Sequence, residues 1–306
     1  MSTAPTHPAI TPNSSLPKGA AWGSAIDAMP SRCITLEKDE YTRCERHVSA
    51  GGFRNLSRFV AIRGRDKRQE LAHDRTKLTL RALYEIEHGQ HREAHSSMPS
   101  WGGVGCYLSH VQLWIEARKS KHGLFVFEGD AVPSKGTFDK VKRAMMNLRA
   151  KNIEFDQYVF GHFGAVSSAP GGVADVRKAT GRLYGLTGYY ISPEGAHKFL
   201  KHVYPIEVQV DSYTGYLIDT EDVQIYFSTQ ILVPQQNLGG TKIQTKYVKD
   251  SEINSGAHTN ALGFTGEQTG LVVVCVFLIL LLIGFVFMLM RVQAYKKVFE
   301  EASKKK

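Results

Sequence analysis

Glu128 and Asp130 flank Gly129 at i, i+2. Two carboxylates at that spacing, just past a strand, can turn their oxygens toward one point, because side chains alternate faces with period two. Glycine between them lets the backbone bend and lets a ligand approach closely. Hard oxygen ligands of this kind suit Mg2+ or Mn2+ carrying a diphosphate, although an isolated E-x-D pair is far more often a solvated acidic turn. Further residues with chemical potential lie elsewhere in the chain. Ser109 and His110 sit in the first turns of an apolar-faced helix, where His110 has a plain alternative as a helix-surface or capped core histidine. Asp211 ends the extended run Pro205-Ile206-Glu207-Val208-Gln209-Val210, and Asp219, Glu221 and Asp222 follow in a polar turn.

The elements that must position these groups read as an alternating α/β chain. Leu124-Phe125-Val126-Phe127, aromatic and β-branched, predicts a short buried strand leading into Glu128. Upstream, Arg32 to Leu36 predicts a strand, Glu37 to Ala50 a helix stopped by Gly51-Gly52, and Arg58 to Ile62 a second strand. Strand, helix and strand in so few residues start an α/β unit with a parallel sheet. Gln69 to Gln90 reads as helical surface structure and Ser96 to Gly105 as a loop. From Val104, Cys106, Leu108, Val111, Leu113, Trp114 and Ala117 give a helix with a broad apolar face. Thr137 to Lys151 predicts an amphipathic helix, and Gln157 to Gly161 a strand. Gly164 to Gly181, rich in Gly and Ser, reads as a long surface loop. Pro193 opens a helix to Val203 with Ser192 as N-cap, and Val223 to Phe227 is the last strand.

Composition narrows the classes. The net charge of +9 over 306 residues is uneven: the last sixteen carry Arg291, Lys296, Lys297, Lys304, Lys305 and Lys306 against Glu300 and Glu301, and so hold +4 of it. No arginine-rich stripe interleaved with aromatics is present, so nucleic acid is not a favoured partner; a mildly basic surface instead attracts anionic substrates. The four cysteines, Cys33, Cys44, Cys106 and Cys275, have no paired C-x-x-C spacing, which argues against a disulfide framework or a zinc site. Residues 1–30 read as a flexible leader without a secretory h-region, and 236–268 as a linker. Gly270 to Met290 has no charged residue, and its twenty-one positions would span about 31 Å as a helix, matching a bilayer core. The expected organisation is therefore a leader, a globular domain over 31–235, a linker, a transmembrane helix over 269–290 and a basic tail over 291–306. A single C-terminal span without a signal peptide predicts a tail-anchored protein with its large domain facing the cytosol. The basic tail opposes that orientation under the positive-inside rule.

Several stretches together resemble glycosyltransferase family 25, the lipooligosaccharide and collagen galactosyltransferase-like proteins. They are Cys33-Ile34-Thr35-Leu36 with Arg43 and Arg46, Phe59-Val60-Ala61-Ile62-Arg63-Gly64-Arg65, Gly105-Cys106-Tyr107-Leu108-Ser109-His110 with Leu113-Trp114, Phe127-Glu128-Gly129-Asp130-Ala131, Gly188-Tyr189-Tyr190-Ile191-Ser192-Pro193-Glu194-Gly195-Ala196, and Pro205-Ile206 through Asp211. The resemblance runs from about Cys33 to Gln235. It implies a GT-A type, Rossmann-like α/β nucleotide-sugar-binding domain and a UDP-galactose or UDP-glucose donor. It also implies a glycan or protein acceptor, Mn2+ or Mg2+ at Glu128 and Asp130, and inverting transfer. On that reading Asp211 is the general base, with Asp222 as the second candidate. Thr35, Arg43, Arg46, Ser109 and His110 bind or brace the donor. One position departs from the pattern: Gly129 stands where the family usually has Asp. That departure keeps a second class of function open, a catalytically inactive relative acting as a membrane-bound scaffold or adhesion module.

Overall fold

The computed structural model describes residues 19–88, 97–220 and 223–236. It opens with α1 (Gly19–Asp27), β1 (Ser31–Thr35), α2 (Lys38–Ala50) and β2 (Leu56–Val60). β1 and β2 are parallel, from Ser31 opposite Leu56 to Thr35 opposite Val60, as the strand-helix-strand pattern predicts. Glu37 and Glu40 form a capping box at the start of α2, so two of its otherwise orphaned N–H groups are satisfied.

The region expected to be continuous helical surface is broken instead. A 3-10 turn (Gly64–Lys67) runs into the short α3 (Arg68–Leu71), and α4 covers Leu80–His88. Between them Asp74 Oδ1 accepts from both Thr76 N (2.9 Å) and Thr76 Oγ1 (2.6 Å), a local bond that competes with helix continuation. α5 (Trp101–Lys119) starts inside the stretch expected to be loop. Ser100 Oγ accepts from Gly103 N at 3.2 Å, an N-cap that outweighs the low helix propensity of Gly102, Gly103 and Gly105.

β3 (Leu124–Glu128), α6 (Thr137–Ala150) and β4 (Gln157–Gly161) follow close to expectation. The expected loop over 164–181 is instead a ribbon, with β5 (Gly164–Ala165), β6 (Ser168–Pro170), β7 (Val176–Ala179) and β8 (Leu183–Tyr184). β6 pairs antiparallel with β7 and β5 with β8, and Val166 N to Arg182 O (2.8 Å) and Thr180 N to Ser167 O (3.1 Å) join the two pairs. β9 (Gly188–Ile191), α7 (Pro193–Phe199), α8 (Val210–Thr220) and β10 (Ile225–Ser228) complete the domain.

Eight strands form one sheet in the order β2-β1-β3-β9-β4-β10-β7-β6. β1, β2 and β3 are mutually parallel, and so are β4 and β10. β9 runs antiparallel to both β3 and β4, which makes the sheet mixed. Alternate residues feed two apolar layers, as period two requires. Leu124, Val126, Tyr189 and Ile191 pack with α5, α7 and α8, while Phe125, Phe127, Tyr190 and Phe160 pack with α1, α2 and α6. The second layer holds a knot of rings around Phe53, with centroids 4.7 Å from Phe127, 5.2 Å from Phe138 and 5.4 Å from Phe125.

Residues 19–27 depart from the expected leader. Trp22 is fully buried, edge-on to Tyr190 at 6.3 Å, with the Arg149 guanidinium 5.6 Å from its ring centre. Burying an indole of this kind contributes about 5 kcal/mol before entropy is counted, which ties α1 to the sheet. Among the described residues no helix is long and apolar enough to cross a membrane; the expected linker, span and basic tail lie outside the described residues, apart from Gln236.

Candidate active site

The alternation of β3 decides where Glu128 points. Leu124 and Val126 face the α5 layer, so Glu128, two residues on, faces α5 as well. His110 of α5 meets it there, Nε2 lying 3.6 Å from Glu128 Oε1. The imidazole is fully buried and held from behind: Nδ1 is 2.8 Å from Tyr189 Oη, and that hydroxyl oxygen accepts from Trp114 Nε1 at 3.1 Å. At 3.6 Å the contact is too long for a hydrogen bond, and His110 Nε2 is left without a partner. Cys106, one turn earlier on the same face of α5, completes a trio whose ligand atoms lie within 4.8 Å of one another. Burial pushes the Cys106 thiol well above its ordinary range, and the charges of Glu128, Asp211 and Asp130 add to that. All three carboxylates are therefore near enough for their charges to act on Cys106.

Asp130 lies in the turn beyond β3. Burial and the neighbouring Glu128 charge push its carboxyl up to about 7, against a smaller opposing pull from Arg43. Its Oδ1 is buried without a hydrogen-bond partner, and so is Arg43 Nε. Two neighbouring carboxylates, one with an unpartnered oxygen, offer hard donors of the kind that Mn2+ or Mg2+ takes. The turn is strapped by the last described residues: Gln235 Nε2 donates to Glu128 Oε2 at 3.1 Å, and Gln236 N donates to Asp130 O at 2.7 Å. Gly129 does not adopt a left-handed backbone. A Cβ there would stand 3.0 Å from Ile34 O and 3.1 Å from Thr35 Cγ2, so glycine is set by close approach to β1 rather than by torsion.

The remaining candidates divide. Thr35 is buried against that turn, and its Oγ1 accepts from Arg58 Nε at 3.3 Å. Ser109 works as a brace: Oγ accepts from Ile62 N at 2.9 Å and donates to Gly105 O at 2.7 Å. It joins a backbone crossing so tight that a Cβ on Gly105 would sit 2.3 Å from Ile62 O. Arg46 is exposed, one turn beyond Arg43, and no contact places it at the acidic turn. Asp211 is in the first turn of α8 rather than at the end of an extended run. Its Oδ1 accepts from Ser212 N at 2.7 Å, and Oδ2 from Gly185 N at 3.2 Å, at the base of the ribbon. Asp222 lies outside the described residues.

The glycosyltransferase family 25 (LPS biosynthesis protein) model matches residues 53–214. The chain belongs to glycosyltransferase family 25. No curated protein matches it. Family 25 membership makes the domain a glycosyltransferase, with a sugar donor and a glycan acceptor as its substrates. The matched range runs from Phe53 to Thr214 and contains α5, β3, β9 and Asp211, the elements just described. Within this family 25 domain the sequence marks Cys106, Trp114 and Tyr189 only as parts of the family-like stretches, and Arg58 and Gln235 only as bounds, without a role at the site for any of them. The i, i+4 spacing of Cys106 and His110 was the available signal for the first, since that spacing puts both on one helix face.

Proposed function

We propose that the domain is a GT-A type, metal-dependent hexosyltransferase that moves galactose or glucose from a UDP-sugar to a hydroxyl of a glycan or protein, with inversion. The observation that carries this reading is the carboxylate pair Glu128 and Asp130 at the carboxyl end of β3, with Asp130 Oδ1 buried and unpartnered, and with Asp211 near enough for its charge to act on the same Cys106 thiol. Ligand sites of α/β sheets lie at that end of the strands. Glu128 and Asp130 would hold Mn2+ or Mg2+, which neutralises the charge of the leaving diphosphate. Arg43, half-buried beside Asp130, supplies a charge-assisted donor to the phosphates. Asp211 takes the proton of the acceptor hydroxyl while its oxygen bonds to C1 of the sugar and the C1–phosphate bond breaks, the electron pair leaving with UDP. Thr35 and Ser109 keep the turn and the start of α5 in place, and Asp222 is the alternative base. Residues 269–290 would anchor the domain to a membrane, with the domain facing the cytosol.

The test is UDP release from a panel of UDP-sugars with and without Mn2+. Turnover that requires the metal and is lost in Asp130→Ala is the expected result. Absence of both turnover and Mn2+-dependent UDP binding would favour the second reading, an inactive scaffold or adhesion module. Gly129 in place of the family's middle Asp is what keeps that reading in play.

A further inference from the structure

The geometry points to a second kind of metal site in this domain: Cys106 Sγ, His110 Nε2 and Glu128 form a three-ligand pocket for Zn2+, or for Co2+ in its place, distinct in chemistry from the all-oxygen pair Glu128 and Asp130. Cys106 and His110 project one turn apart from α5, and Glu128 comes to meet them from the end of β3, every ligand atom lying within 4.8 Å of the others. His110 Nε2 is the decisive atom. The residue has no exposure, and Nε2 has no hydrogen-bond partner although it faces Glu128 at 3.6 Å. Buried polar atoms are rarely left unpaired. A tetrahedral zinc ion with ordinary Zn–N and Zn–O bonds holds those two atoms about 3.4 Å apart, close to the separation found.

The surroundings are those of a metal-binding histidine. Such residues have their second ring nitrogen fixed by a partner, and here Tyr189 Oη lies 2.8 Å from Nδ1 while Trp114 Nε1 anchors that hydroxyl at 3.1 Å. Tyr189 serves either tautomer, donating to Nδ1 when Nε2 carries the proton and accepting from Nδ1–H when Nε2 is a ligand. One sulfur, one imidazole and one carboxylate favour Zn2+ or Co2+ over Mn2+ and Mg2+. Three protein ligands leave a fourth position open, as in reactive rather than purely structural zinc sites. The site does not depend on the transferase reading, but it shares Glu128 with it. Zinc bound to Glu128 on the α5 side competes with the ion paired to Asp130, so zinc acts as an inhibitor of a Mn2+-dependent transfer.

The test uses the full chain, stripped with a chelator and titrated with Co2+. A thiolate-to-Co2+ charge-transfer band that saturates at one equivalent is expected. It should be lost in Cys106→Ser, kept in Cys33→Ser and Cys44→Ser, and shifted to at least tenfold weaker binding in His110→Ala. X-ray absorption of the zinc-loaded wild-type chain needs no variant: one sulfur at about 2.3 Å with lighter ligands at about 2.0–2.2 Å is expected. A zinc shell without sulfur, no band at saturating Co2+, or a band that survives Cys106→Ser would overturn the site. A positive spectrum without any glycosyl transfer would leave the site standing and remove the transferase reading instead.

Discussion

Asp156, just before β4, and Asp130, just after β3, are carboxylates at opposite ends of one sheet, and they are held in opposite ways. Asp156 accepts from Lys198 Nζ at 2.8 Å and from Gln224 N at 2.7 Å through Oδ2, while its carbonyl accepts from Ser192 N at 2.9 Å. Every partner comes from the fold itself, and the group pins α7 and the approach to β10 onto β4. Asp130 has a repelling carboxylate for a neighbour and a buried oxygen with nothing to accept from. His110 Nε2 and Arg43 Nε share that condition at the same end. The amide of Gln157 at the Asp156 end is also unpaired, but it is neutral and its desolvation costs far less than that of a charge. The fold itself satisfies the Asp156 carboxylate, whereas Asp130 keeps a buried oxygen without a partner.

The contrast can be tested from its largest expected effect downward. Asp211→Asn should lower glycosyl transfer by about 10²–10⁴, the usual contribution of a general base, with UDP-sugar affinity retained by calorimetry; near-normal transfer would move the base elsewhere. Asp156→Ala should cost about 2–3 kcal/mol in urea denaturation, because a partly buried ammonium and a backbone N–H both lose a charged acceptor. No comparable loss would mean that Asp156 is not an anchor. Asp130→Asn should do the reverse, raising the stability of the metal-free chain by about 1 kcal/mol as a buried charge and its like-charge contact with Glu128 disappear, while abolishing metal-dependent donor binding. A destabilised Asp130→Asn would erase the difference between the two ends.

The same carboxyl sets a pH signature. Its value rises from 3.8 to about 7 on folding, so the folded state holds the proton more tightly than the unfolded chain does. That increment of stability is fully present below about pH 4 and is lost as pH rises through about 7. Denaturation midpoints at pH 5 and pH 8, compared between the wild type and Asp130→Asn without metal, should show the pH-dependent part vanish in the variant. The smallest effect is that of Gly129→Ala, a loss of about 1 kcal/mol or less, since the new Cβ crowds only Ile34 O and Thr35 Cγ2.

Much of the frame was legible because its signals are local. Leu124 to Phe127 and Gln157 to Gly161 are apolar runs of strand length, and both are buried strands. The ribbon over 164–184 was not legible: its Gly, Ser and Pro residues carry no alternating pattern, and its pairing depends on backbone bonds that composition does not reveal. The helical placement of Asp211 was hidden by Val208 and Val210, β-branched residues that favour extended structure: Val208 does pair with Ser97 in a β-bridge, but Val210 already opens α8, which packs against α5. At the site, the spacing of Glu128 and Asp130 was visible while their orientation was not. Only the register of β3 against β1 and β9 shows that Glu128 turns toward His110. Cysteine spacing was read for zinc motifs within one segment, and it could not show a thiol from α5 meeting a carboxylate from β3.

The strap over the acidic turn also sets an order of assembly. Gln235 reaches Glu128 across 107 residues of sequence, so on a ribosome the carboxylates are made well before the residues that close over them. At ~5–20 residues per second that interval is about 5–20 s, during which the turn has no cover. The acidic turn therefore gains its cover late in synthesis, after β10 has been made, and a truncation ending at Val233 would leave Glu128 and Asp130 in place without the Gln235 and Gln236 contacts.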